Sequence, residues 1–170
     1  MDAVKIAYCA GLIDGEGCIR IKRTKAYKCQ DRKTPGYHAV IQVRMVEEGA
    51  IKFLSETLGG WYFKERPSER RPLYCWQVSD AGAEKIIRTV EPLLIVKRQQ
   101  ARLVIGLREL QSTGKQHRTK IVGYRNFPNK YGTARQVPNL SFSDEYVAQC
   151  ESLYQQCKAL NRVGLAAMVA

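Results

Sequence analysis

The sequence predicts an α+β domain in the order αββαββα, built around a four-stranded antiparallel sheet and followed by additional C-terminal helices. Three observations carry that expectation. An apolar helix opens the chain and closes on Glu16; two pairs of short segments alternate apolar and polar residues; and the segments at 48–58 and 81–90 repeat apolar residues at helical spacing. Each strand pair has one apolar and one basic or polar side. The sheet therefore places its apolar side under the helices and leaves its polar side open.

Along the chain, Cys18 to Lys25 alternates, with Ile19 and Ile21 on one side and Arg20, Lys22 and Thr24 on the other. Residues 26–36, with Lys28, Arg32, Lys33, Pro35 and Gly36, read as a hairpin loop. Tyr37 to Met45 returns with Ala39, Ile41, Val43 and Met45 toward the core, leaving His38, Gln42 and Arg44 beside the first strand's basic residues. Ile51, Leu54 and Leu58 mark a helix that stops at Gly59-Gly60. Trp61–Arg66 and Leu73–Val78 form the second hairpin around 67–72; Lys64 and Arg66 share one parity, and Gln77 lies opposite the apolar Tyr74, Trp76 and Val78. Ser79 or Asp80 N-caps a helix over 81–90, which Pro92 ends. A further helix follows from about Ala101. Residues 111–140 carry six Lys and Arg and no acidic residue, interleaved with Tyr124, Phe127 and Tyr131, and read as a basic loop or arm. Ser143 caps a last helix that ends near residues 161–164. The expected organisation is one domain over 1–164 with a tail at 165–170.

A composition of 45% hydrophobic and 26% charged residues is that of a globular chain, but the net charge of +12 calls for a polyanionic partner. Nucleic acid is the first candidate. A membrane is not expected, because no apolar run approaches the ~20 residues of a spanning helix and the start lacks a secretory pattern. The six cysteines include no CxxC pair, which argues against a zinc site, and they read as buried thiols in a reducing compartment. Only His38 and His117 are available, too few for a His-based metal cluster or a catalytic triad.

The remaining signal is local. Gly11 and Gly15 are four apart on one helix face, where the missing Cβ atoms admit a second backbone, and Glu16 follows at the helix end. Two such helices packed on their glycines bring two carboxylates together, a pair suited to a divalent cation. The nine residues Cys9 to Gly17 read CAGLIDGEG, which resembles the LAGLIDADG signature of the homing endonucleases at six of nine positions, with Cys9, Gly15 and Glu16 departing. The stretch Pro92 to Ala101, a proline, a hydrophobic run, Lys97 and then Gln-Ala opening a helix, is similar to the same family.

The resemblance implies a site-specific double-stranded DNA endonuclease that cuts phosphodiester bonds across the minor groove to leave 3′ overhangs. It implies an intron-encoded protein acting inside a cell, in a bacterial or phage cytoplasm or in an organelle such as a chloroplast or mitochondrion. Glu16 matches the carboxylate that holds Mg2+, or another divalent cation such as Mn2+, and Lys97 matches the basic residue near the scissile phosphate. With a single copy of the motif and no internal repeat, the chain is expected to act as a homodimer. Gly11 and Gly15 then lie at the interface, and two sheets join into one saddle over a long pseudo-palindromic site. Arg20, Lys22, Thr24, His38, Gln42, Arg44, Lys64, Arg66 and Gln77 are the expected DNA contacts, since Arg and Lys suit guanine edges or phosphates and Gln suits adenine. One departure favours a different function: where many relatives place a polar residue near the attacking water, this chain has Met45. The alternative is a non-cleaving nucleic-acid binder on the same scaffold, an RNA splicing maturase or a DNA-binding regulator.

Overall fold

The computed structural model describes residues 2–25, 34–66, 71–128 and 134–166. Helix α1 (Ala3–Glu16) starts where the Asp2 carboxylate accepts a hydrogen bond from the Val4 N–H at 3.0 Å. Its buried stripe is Ile6, Cys9, Ala10 and Ile13. Strand β1 (Gly17–Thr24) follows with no intervening loop, and Gly17 makes that passage feasible: a Cβ there would stand 2.5 Å from the Ile13 carbonyl oxygen. Helix geometry and strand geometry are thus joined at one residue, which fixes where Glu16 stands relative to the sheet.

Strand β2 (Gly36–Met45) pairs antiparallel with β1, Gly17 opposite Val43 and Thr24 opposite Gly36. After α2 (Glu48–Leu58), β3 (Trp61–Arg66) and β4 (Leu73–Ser79) form the second hairpin, and β4 docks on β2. The sheet order is β1-β2-β4-β3. Helix α3 (Asp80–Val90), a 3-10 turn (Glu91–Leu93) and α4 (Arg98–Ser112) pack with α1 and α2 on one side of the sheet. The core lies between these layers, with Ile19, Ile41, Val43 and Trp76 fully buried beneath Ile13, Ile51, Leu54, Ile87, Val104 and Leu107. The αββαββα order and the sheet are as expected, with ends shifted by a residue.

Two C-terminal features differ from expectation. The basic arm is a β-hairpin, β5 (Lys120–Pro128) with β6 (Ala134–Ser141), after a 3-10 turn at Gly114–His117. Its alternation was hidden by a bulge between Ile121 and Gly123 and by Pro138, tolerable in a two-stranded ribbon whose edges are both open. The last helix, α5 (Asp144–Ala166), continues past the predicted end into the expected tail. It covers the edge strand β1: the Asn161 side-chain amide donates to the Ile19 carbonyl at 3.0 Å, and Arg23 pairs with Glu151 at 2.9 Å. The Tyr37 hydroxyl also donates to Glu151; burial and that carboxylate push the Tyr37 pKa up to about 12. The expected loop residues Lys28, Arg32 and Lys33, residues 67–70, and Tyr131 lie outside the described residues.

Candidate functional site

At the C-terminal end of α1 three side chains meet the start of the sheet. Asp14 is half-buried and accepts three backbone hydrogen bonds from the segment after the 3-10 turn, from Ile95 at 2.8 Å, Val96 at 2.9 Å and Lys97 at 2.8 Å. Burial raises the Asp14 pKa, but the three N–H groups and the nearby Lys97 ammonium outweigh it and hold the carboxyl below its usual range. The Lys97 ammonium in turn donates to the Asp14 carbonyl oxygen and, at 3.4 Å, to that of Gly15. Lys97 thus caps the negative end of the α1 dipole. Glu16, the next residue, is exposed and makes no hydrogen bond or ion pair among the described residues. A free carboxylate at the negative end of a helix attracts a cation, so Glu16 and Lys97, 81 positions apart, are brought to one helix terminus.

Asp14 was not among the site residues read from the sequence. Residues 14 and 16 are about 200° apart around a helix, so only one of them can face the open side. The available signal was that a second carboxylate inside the motif had to be used elsewhere.

The open side of the sheet holds most of the expected contacts. Arg20, Lys22, His38, Gln42, Arg44 and Gln77 occupy that side by register, Lys22 opposite His38 and Gln42 opposite Gln77. They are linked. Arg20 donates to the Gln42 side-chain oxygen at 3.2 Å, and Gln42 donates to Gln77 at 3.2 Å and to the Cys75 sulfur at 3.0 Å. Gln42 is only 6% exposed, so its amide holds neighbours in place rather than reaching outward. The Arg20 Nε is buried and has no hydrogen-bond partner among the described residues. His38 Nδ1 lies 3.1 Å from Asp80, Arg44 pairs with Glu65 at 2.8 Å, and the Thr24 hydroxyl donates to the Gly36 carbonyl at 3.3 Å.

Lys64 does not join this surface. It stands opposite Tyr74, in the row shared with Met45 that faces the helices. A bulge between Lys64 and Arg66 breaks the shared parity and sets Arg66 opposite Leu73. The outer strand instead presents Trp61 and Phe63 to the open side, opposite Gln77 and Cys75, and both are exposed. Met45 packs half-buried against the core.

The outer face of α1 is bare. A Cβ added at Gly11 or Gly15 would meet nothing within 4 Å. Val4 and Tyr8 continue that stripe, 77% and 54% exposed, and Ile95 and Val96 stand exposed beside its end. Contiguous apolar groups around glycines of this kind mark an interaction surface.

These elements together are the homing-endonuclease fold of the LAGLIDADG class. The backbone matches I-CvuI, solved with its DNA target in the presence of calcium, with a TM-score of 0.65 and 16% identity over 92% of this chain and 82% of that one. It matches I-Vdi141I, an archaeal intron-encoded homing endonuclease solved with DNA, at 0.64 and 13% over 92% and 84%, and I-TnaI at 0.57 and 12% over 95% and 96%. No protein-family model matches the sequence, and no curated protein matches it. Among the described residues no helix is long and apolar enough to cross a membrane.

Proposed function

We propose that this protein belongs to the LAGLIDADG homing endonucleases and is a divalent-metal-dependent, site-specific DNA endonuclease that acts as a homodimer. The observation that carries the reading is the unpartnered Glu16 carboxylate, placed by Gly17 where the glycine face of α1, Lys97 and the open cationic sheet meet. Among the described residues no three His, Cys, Asp or Glu side chains converge. One chain offers a single carboxylate, and pairing two α1 helices supplies the second, so the residues fit a shared cation.

In this reading the sheet tracks a duplex with Arg20, Lys22 and Arg44. The α1 pair sets the spacing of two such sheets. Lys97, fixed by its own backbone bond to Asp14, holds positive charge beside the phosphate that approaches Glu16. The two Glu16 carboxylates would hold a divalent cation, which would supply Lewis acidity at the scissile phosphates. Cutting across the minor groove leaves 3′ overhangs on a long, roughly palindromic site. The test is incubation of purified protein with a plasmid carrying the uninterrupted host sequence: linearisation with Mg2+ or Mn2+ and none in EDTA is expected. Binding without a double-strand break in either metal sinks the nuclease reading. The half-buried Met45 favours that second outcome, a nucleic-acid binder without cleavage, because no polar side chain at that position orients water.

The dimer has its own expected result. Gly11→Leu fits the single chain, since the space at the Cβ is open, and it raises helix propensity by somewhat less than the roughly 0.8–1 kcal/mol that separates Gly from Ala. The variant will therefore be stably folded yet monomeric by sedimentation and unable to linearise the plasmid. A Gly11→Leu protein that still sediments as a dimer would place the interface elsewhere.

A further inference from the structure

The hairpin β5–β6 has no role in the reading above, yet it walls a cleft of about 580 Å³ together with the start of β2, the end of α4 and the start of α5. Arg108, Lys115, Arg118 and Arg125 line it, and among the described residues Asp80 is the one acidic lining residue. Asp80 faces His38, and among the described residues only Arg108 of the four cations has a carboxylate partner, Glu84 at 3.2 Å. Arg125 is held by the Asn139 side-chain oxygen at 2.8 Å, and Arg118 lies over the Phe142 ring with its guanidinium carbon 5.0 Å from the centroid. Lys115 makes no ion pair or side-chain hydrogen bond among the described residues. Two positive charges are thus oriented by neutral groups, and none of the three, Lys115 included, has an anion among the described residues.

The place of the cleft says which anion. His38 lines it and also stands on the open side of the sheet. It is five residues along β2 from Val43, which faces Gly17, so the cleft lies about 17 Å from the Glu16 end, at about 3.3 Å per residue. A duplex laid over the sheet leaves it on that outer side. The charges are spread over a 3-10 turn, a connecting loop and β5, the distribution of a surface that follows a backbone and not of a pocket closed on one small anion.

We propose that the hairpin and the cleft at its root form a second DNA-contacting site, in which Lys115, Arg118 and Arg125 take backbone phosphates of the duplex flanking the segment covered by the sheet. The proposal rests on the DNA-binding reading of the sheet. It adds affinity without sequence information, and its energy is counterion release.

Binding is measured on two duplexes, one limited to the protected site and one carrying ten further base pairs on each side, as a function of salt. The wild type is expected to bind the longer duplex about 10-fold more tightly, with hydroxyl-radical protection reaching into the flanks. Lys115→Gln/Arg118→Gln/Arg125→Gln is expected to lose that gain, and its slope of log K against log salt falls by about 0.9 for each phosphate contact removed. Lys115→Arg/Arg118→Lys/Arg125→Lys is expected to keep most of both. A wild type whose footprint and affinity ignore the flanks overturns this site while leaving the sheet reading intact. A wild type that binds neither duplex overturns both.

Discussion

Glu16→Gln will leave DNA binding intact and lower double-strand cleavage by at least about 10²-fold, the scale of removing one group that stabilises charge in a transition state. The substitution keeps the length and shape of the side chain. Because Glu16 is exposed and has no partner among the described residues, nothing in the fold depends on its charge, and the unfolding midpoint should not move. What is lost is the ability of a carboxylate oxygen to hold a hard cation, which an amide oxygen does far less well. In the proposed homodimer the substitution removes both ligands of the shared site. Binding in calcium or in EDTA, followed by fluorescence anisotropy, is expected to be as tight as wild type or tighter, because a negative charge near two phosphates has been removed. Conversion of supercoiled to linear plasmid in magnesium gives the other half of the comparison. Equal cutting by the variant would mean that the cation sits elsewhere.

That prediction depends on a motif that is legible as letters, whereas its geometry is legible only in part. Strict alternation within β1, β2 and β4 sets which side each residue faces, so Arg20, Lys22, His38, Gln42, Arg44 and Gln77 fall on one side as expected. Alternation assumes an unbroken pleat. The bulge in β3 breaks it, and Lys64 turns to the helix side while Trp61 and Phe63 take the open side. Nor does periodicity reveal how far a polar residue reaches: Gln42 has the right parity, but its neighbours close over it. The hairpin β5–β6 escaped because it buries little, with Ile121, Tyr124 and Leu140 all exposed, and without a buried side there is no apolar alternation to read. Asp14 escaped for a different reason. Its partners are backbone N–H groups more than 80 residues away, and backbone groups carry no sequence signature.

Asp14→Asn is the variant that exposes this hidden contact, and it should damage both stability and chemistry. The carboxylate offers two acceptor oxygens to Ile95, Val96 and Lys97; an amide keeps one oxygen and turns its NH2 toward backbone N–H groups that have no lone pair to offer. A charge-assisted set of this kind is expected to contribute about 1–2 kcal/mol at pH 7, with the lower end favoured by the partial exposure of the site. The pH dependence follows from the lowered folded-state pKa. Above the ordinary Asp value of about 4 the carboxylate is charged in both folded and unfolded chains and the full contribution is present. As pH falls below that value and through the depressed folded value, protonation of the folded form removes it, so the gap between wild type and Asp14→Asn closes in acid. Urea unfolding of both proteins at pH 7 and at pH 3 measures that closing; a gap of equal size at the two pH values would assign the loss to packing instead. The chemical consequence runs through Lys97, whose backbone is anchored by Asp14 and whose ammonium rests on the Asp14 and Gly15 carbonyls. Released from that strap, Lys97 no longer holds its charge beside Glu16, and a displacement of about 1 Å costs on the order of 10²-fold in rate. The rate should not recover with added magnesium, because Glu16 is untouched and the defect lies in placement of the lysine.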